Sequence, residues 1–195
     1  MNMKKYTLYL MLLMLLPFFG ACKALKEGYG IDNPGQYSRV YLAAAYQGLQ
    51  RFELEAPKTA EVKVYANYSG VLKLNADLSV GMAVDLSRVA RYNSENGTSF
   101  KPIPTDCFRL TDNVSVIPAG TTISAAPVVV SIITTAFQDD QTYLMPVRLT
   151  TVSDASIAIN PALETLYFGI SCKAGALYVT TSPLNDYSLS GTENW

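Results

Sequence analysis

The sequence predicts an all-β chain, a β-sandwich carrying one short crossover helix behind an N-terminal export signal. Three observations predict it. Apolar residues recur in short runs rich in Val, Ile, Tyr and Thr and alternate with polar ones, which is the period of a half-buried antiparallel strand. One stretch, Asp85–Tyr92, spaces its apolar residues by a helical turn instead. The chain also begins with a basic pair ahead of an uncharged run, the layout of an export signal. At 195 residues, 49% apolar and 16% charged, it is long enough for one domain with a sizeable core and too apolar to stay disordered.

Lys4 and Lys5 supply the positive start, and Tyr6–Phe19 is uninterrupted by charge. That run is too short to span a bilayer, which needs about 20 residues. Gly20 and Ala21, both small, lead directly to Cys22. Small residues before such a cysteine resemble the lipobox of bacterial lipoproteins, a resemblance that implies cleavage before Cys22 and acylation of its thiol and new amino group. Residues 1–21 are then a removed lipoprotein signal peptide, and the acyl chains anchor the protein at about 0.8 kcal/mol per buried CH₂. Residues 22–37 hold glycines and Pro34 without periodicity and read as the lipidated cysteine and a flexible tether. Residues 38–180 read as a single sandwich domain and 181–195 as a C-terminal tail.

Strands follow in order. Arg39–Leu42 opens the domain. In Leu49–Ala56, Phe52, Leu54 and Ala56 alternate with Arg51, Glu53 and Glu55. Glu61–Ser69 sends Val62, Val64, Ala66 and Tyr68 one way and Lys63, Tyr65 and Asn67 the other. Leu78–Leu86 repeats the pattern through Val80, Met82 and Val84. Val114–Ile117, Ala126–Thr134, Tyr143–Thr150, Thr165–Cys172 and Leu177–Thr180 complete the set. Pro127 and Pro146 should mark strand starts, edges or bulges, because proline cannot donate to a ladder.

Leu86, Val89 and Tyr92 recur at helical spacing behind Asp85, which is expected to cap the turn rather than to ligate a cation. Tyr92 is expected to pack between the sheets and Asn93 to end the helix. Gly97 and Gly120 fall where turns favour positive φ. Cys107 and Cys172 lie in apolar runs. In an oxidising compartment they could pair in a disulfide, or each could stay a small buried hydrophobe.

Composition narrows the chemistry. The chain has no histidine, which excludes a Ser-His-Asp triad, an HExxH zinc site and any histidine general base. A net charge of −1 provides no basic field for nucleic acid. No phosphate-cradling glycine loop or calcium loop is present, so neither cofactor nor metal is expected. Asp139 and Asp140 are adjacent acids, which in a loop or strand seldom face each other across a cleft as a glycosidase requires. The chain is therefore expected not to be an enzyme. The 13 Tyr and 7 Phe are the better lead, since sugars stack on exposed aromatic faces. Tyr65, flanked on its strand face by Lys63 and Asn67, is the candidate glycan contact.

One order of motifs is distinctive. Ala83-Val-Asp85 leads through Tyr92-Asn93 to Gly97-Thr98-Ser-Phe100-Lys-Pro-Ile-Pro104, then Val114-Ser-Val-Ile-Pro-Ala-Gly120, then Tyr143-Leu-Met-Pro146. This order resembles an uncharacterised N-terminal domain family of Bacteroidetes surface lipoproteins, over roughly residues 38–172. The resemblance implies an immunoglobulin-like β-sandwich. It further implies a setting in which such domains precede family-18 endoglycosidase or lectin-like modules, near SusC/SusD-like glycan importers. Two classes of function follow as expectations. One is a non-catalytic, lipid-anchored outer-membrane module, at the cell surface or else on the periplasmic face, that binds a surface glycan or docks on a SusC/SusD-like importer. The other is a structural or adhesive, fimbria-associated module.

Overall fold

Twelve strands carry the described part of the computed structural model, residues 33–54, 59–134, 137 and 141–172. Cys22, the signal, Asp139–Asp140, the strand expected at Leu177–Thr180 and the tail lie outside the described residues. The large sheet runs β2 (Leu49–Leu54), β12 (Thr165–Cys172), β10 (Thr142–Val152), β5 (Leu78–Val84), β8 (Val114–Ile117), with β6 (Lys101–Pro102) beside β10. Two three-stranded sheets oppose it. One is β3 (Thr59–Val64), β9 (Val128–Ile133), β7 (Phe108–Leu110), and the other β11 (Ala158–Ile159), β1 (Arg39–Tyr41), β4 (Asn67–Ser69). The expected sandwich is thus present.

The run read as one strand, Glu61–Ser69, is two. β3 pairs with β9 and β4 with β1, yet Val62, Val64, Ala66 and Tyr68 are all buried in unbroken alternation. Side-chain period is a property of the backbone, whereas partners are set by what lies alongside. The shared strand path makes the two small sheets one layer, and a single core cluster unites Val40, Val64, Val130, Val80, Val147 and Phe168 from both layers.

The N-terminal segment binds the layers together. Asn33–Tyr37, expected as the end of the tether, includes a 3-10 turn at Pro34–Tyr37. β1 then joins the small layer, a second 3-10 turn spans Ala43–Gln47, and β2 adds parallel to β12 in the large sheet. The chain changes layer through Gly48, whose φ of 73° and ψ of −137° would strain any residue with a Cβ.

Two prolines illustrate the constraint on donors. Pro127 directly precedes β9, as expected of a strand start. Pro146, however, sits inside central β10, between Leu144 facing β6 and Val147 facing β5. Its missing N–H falls at the seam where β10 changes neighbour, and its carbonyl still accepts from the Asp85 N–H at 2.9 Å. The strand therefore loses no ladder bond.

The α-helix among the described residues, α1 (Arg88–Asn96), links β5 to β6. Both belong to the large sheet, so the crossing to the other layer comes later, between β6 and β7. The helix lies on the outer face of the large sheet: Leu144 of β10 and Val89 of α1 are buried there, outside the main core cluster. Tyr92 correspondingly packs on that outer face and not between the sheets, with its ring 4.5 Å from that of Tyr167. No helix among the described residues is long and apolar enough to cross a membrane.

Val80 is fully buried, whereas Val84, at the far end of the same strand, is only partly covered. Val80→Asp places an unpaired charge in the core and should leave the domain unfolded at 25 °C, since burying one costs several kcal/mol against a total of about 5–15. Val84→Asp can turn its carboxylate to solvent and should cost only about 1–2 kcal/mol. Urea titrations of the two variants check the difference; equal losses would mean that the strand end is closed.

Candidate functional site

The site begins with one carboxamide. The Asn93 Oδ1 accepts from the Thr98 hydroxyl at 2.8 Å and from the Phe100 N–H at 3.0 Å, and its Nδ2 donates to the Phe100 carbonyl at 2.8 Å. Its backbone carbonyl accepts from the Gly97 and Thr98 N–H groups. Gly97 ends the helix at φ 62°, in the left-handed region, the conformation a helix needs to turn its last carbonyls back on themselves. Loop 98–100 is thereby fixed to the end of α1. The motif residues Tyr92, Asn93, Gly97, Thr98 and Phe100 are thus one mechanical unit.

That loop presents Phe100. Its ring lies 6.1 Å from Tyr92, which in turn packs on Tyr167, and the Arg51 guanidinium sits 5.6 Å from its centroid. Arg51, Thr98, Ser99, Phe100, Gln141 and Thr142 line a shallow cleft of about 360 Å³. Its floor is aromatic, its rim carries hydroxyls and a carboxamide, and among the described residues that line it the one cation is Arg51. This is equipment for holding a polar ligand with an apolar face.

A charge network seats the helix above it. Arg88 pairs with Glu164 at 2.6 Å and with Asp85 at 3.5 Å, and Arg148 Nε lies 3.4 Å from Asp85. The Asp85 side chain was expected to cap the helix. Instead the cap position is Ser87, without a side-chain cap bond, and the Asp85 carboxylate accepts from the Ser87 hydroxyl at 2.5 Å. The two arginines draw the carboxylate toward the sheet, leaving Ser87 to end the turn. The Ser87 hydrogen bond, with Arg148 and Arg88 beside it, holds the Asp85 carboxyl below its ordinary value. Burial raises the Tyr167 phenol above its ordinary value, with Arg88 pulling the other way.

The residues proposed from sequence lie elsewhere. Lys63, Tyr65 and Asn67 do face outward together, half-buried, but on the small layer. The Asn67 Oδ1 accepts from the Ala43 N–H at 3.4 Å, which assigns it to holding the 3-10 turn. None of the three lines the Arg51–Phe100 cleft. Phe100 and Arg51 were missed, although Phe100 closes the distinctive Gly97-Thr98 motif, which was the available signal. Cys107 and Cys172 are both buried thiols, and the disulfide between them is not formed. The Cys107 thiol lies 3.7 Å from Asp106 Oδ1 as a donor.

A second cleft, of about 380 Å³, opens between β5 and β7 beside Met82, Val84, Phe108 and Leu110. Among the described residues no group of three or more potential metal ligands exists.

A family model whose description reads "-like, N-terminal domain" matches residues 33–156. No curated protein matches the chain. Among solved structures, one titled "putative carbohydrate binding protein", from Bacteroides ovatus ATCC 8483, is 19% identical with a TM-score of 0.58, over 68% of this chain and 36% of that one. EndoBT-3987 of Bacteroides thetaiotamicron, with a Man5GlcNAc product, is 19% identical with a TM-score of 0.52, over 70% and 31%. A two-domain protein of unknown function from Bacteroides fragilis NCTC 9343 is 15% identical with a TM-score of 0.52, over 77% and 50%. At these identities the likeness is one of fold, and this chain spans between about a third and a half of each.

The lowered carboxyl of Asp85 makes the helix seat acid-sensitive. A folded-state pKa below the unfolded 3.8 contributes stability that is present above that value and lost as pH falls through the lower folded one. Asp85→Asn should flatten the decline in melting temperature as pH falls through 3.8 and below while lowering it at pH 7. An acid limb as steep as that of the parent would show that Asp85 takes no part.

Proposed function

The chain belongs to the family of N-terminal domains whose model matches residues 33–156, and from that premise we propose that it is a non-catalytic glycan-binding module. On this reading the Arg51–Phe100 cleft holds the sugar. The module is tethered to the outer membrane through Cys22, displayed at the cell surface, and serves a polysaccharide-uptake system beside a SusC/SusD-like importer. The observation that carries the reading is the cleft itself. An aromatic face partly open to solvent packs on sugar C–H groups, while Thr98, Ser99, Gln141, Thr142 and Arg51 around it match ring hydroxyls. About 360 Å³ is at the small end of ligand sites, the size of one or two saccharide residues. One structural neighbour described as a carbohydrate binding protein and another holding a Man5GlcNAc product agree with it.

Such a cleft binds weakly, because a solvated polyol gives back much of each hydrogen bond on leaving water. Kd values fall in the micromolar-to-millimolar range, about −8 to −4 kcal/mol.

A structural or adhesive role is the second reading, and the open edge of β5 favours it. β8 pairs with β5 only as far as Gly81. The Met82 N–H donates to Asn113, and Asp85 to Pro146, so by alternation the N–H and C=O of Val84 point away from β10. An added strand could use them.

Glycan-array binding followed by titration tests the first reading. Phe100→Ala should abolish binding, the parent should release no reducing ends from any polysaccharide bound, and Cys22→Ala should leave the membrane fraction. A Phe100→Ala variant that binds like the parent would remove the cleft from the account, and release of reducing ends would make the protein an enzyme.

A further inference from the structure

We infer that the end of the domain carrying Tyr37, Val71 and Leu72 rests on the lipid bilayer and holds the Arg51–Phe100 cleft away from it; this rests on the reading of Cys22 as a lipid anchor. The three side chains are exposed, by 52%, 38% and 50%. Scattered singly they would need no explanation, but the β1–β4 ladder gathers them. Arg39 pairs with Ser69 and Val40 with Tyr68, so Tyr37 and Val71 leave the ladder on adjacent strands at the same end. The Tyr68 hydroxyl closes that end, accepting from the Ser38 hydroxyl at 3.0 Å and donating to the Leu72 carbonyl at 2.8 Å. Gly70 makes room for it, because a Cβ there would collide with the Tyr68 oxygen. The patch is therefore preformed, and little affinity is lost to ordering it.

What covers the patch follows from where the chain comes from. Residues 23–32 separate Cys22 from Asn33, and the turn at Pro34–Tyr37 leads straight into this end. Those residues reach at most about 40 Å when extended, so an anchor at Cys22 keeps this end close to the lipid at high effective concentration. Tyrosine beside aliphatic side chains suits the level between head groups and acyl chains. Charge contributes little: in the described turns around the patch, Arg39 and Lys73 stand against Asp77 and Asp154. The consequence for the cleft is set by β10. It runs from Thr142, which lines the cleft, to Val152, and the chain beyond returns to the patch, where the Ala158 N–H donates to Ser38 at 3.4 Å. At the rise of a strand, that length places the cleft about 33 Å from the end on the bilayer, clear of the head groups.

The test uses the full chain, purified with its acyl groups and inserted into the outer leaflet of phosphatidylethanolamine–phosphatidylglycerol vesicles. Lactoperoxidase iodinates the tyrosines that water reaches, and peptide mass spectrometry reads each one. Relative to residues 23–195 free in solution, Tyr37 should lose at least fivefold in iodination. Tyr46, 86% exposed beyond the other end of β1, and Tyr92, next to the cleft residue Phe100, should keep theirs. High salt should leave the protection within twofold. Val71→Asp combined with Leu72→Asp, both at exposed positions, should restore Tyr37 iodination without releasing the chain from the vesicles. Tyr37 iodinated on vesicles as it is in solution would overturn the inference and leave the anchor standing, as would equal protection of Tyr92. Protection that survives in the double variant would trace to the short tether alone and overturn the inference too. A full chain recovered without acyl groups would overturn both.

Discussion

The outer face of the large sheet depends on the side chain of Asn93. A loop of four residues between a helix and a two-residue strand has little intrinsic preference for one path. Here the amide oxygen and amide nitrogen of one residue take both backbone groups of Phe100 and the hydroxyl of Thr98. Left unmade, such bonds cost about 1–3 kcal/mol for each group that stays buried, so the clamp and the loop path are coupled. The consequence is positional. Phe100 is held against Tyr92 on one side and Arg51 on the other, and these contacts define the cleft.

The clamp works only because the helix beneath it cannot slide. Val89 and Leu144 are buried between α1 and the sheet, each stabilising by about 1.5–3 kcal/mol. The Arg88–Glu164 and Arg148–Asp85 pairs, with side chains between 19% and 33% exposed, add orientation more than energy, since solvent screens pairs of that exposure. Apolar contact thus holds the helix down, and the charges fix which way it points. A tilted Tyr92–Tyr167 ring contact at 4.5 Å continues the same seam toward β12.

Elements with a strong local signal were legible in the sequence. β8 and β12 run over the residues their β-branched patterns mark. Alternation also predicted which residues of 61–69 are buried, though not that the strand changes sheets at Tyr65, because pairing partners leave no local trace. The helix was visible by its spacing, but its direction of packing was not: Tyr92 reads equally well as a residue between sheets or outside one. Pro146 in a central strand was unreadable for a similar reason. Only the succession of β6 and β5 along β10 leaves its position without a bond to lose. The cleft was the least legible feature. It joins a residue of β2 to a loop after α1 and to the start of β10, three places far apart in sequence. Tyr65 met the same chemical criterion, an outward aromatic beside a cation and an amide, but on the small layer, away from the Arg51–Phe100 cleft. Phe100 stood in plain view at the end of a distinctive motif, but in an irregular loop, where periodicity says nothing about facing.

The claim that Asn93 places the glycan-binding cleft is tested most directly by NMR titration of the parent and Asn93→Ala with a saccharide the parent binds. In the parent, shift changes should centre on residues 98–100, Gln141, Thr142 and the Arg51 side chain. In Asn93→Ala they should vanish at the same saccharide concentration, while the amide signals of Val80 and Leu149 keep their native positions. Unchanged binding in Asn93→Ala, or shifts in the parent centred on Lys63, Tyr65 and Asn67, would contradict it.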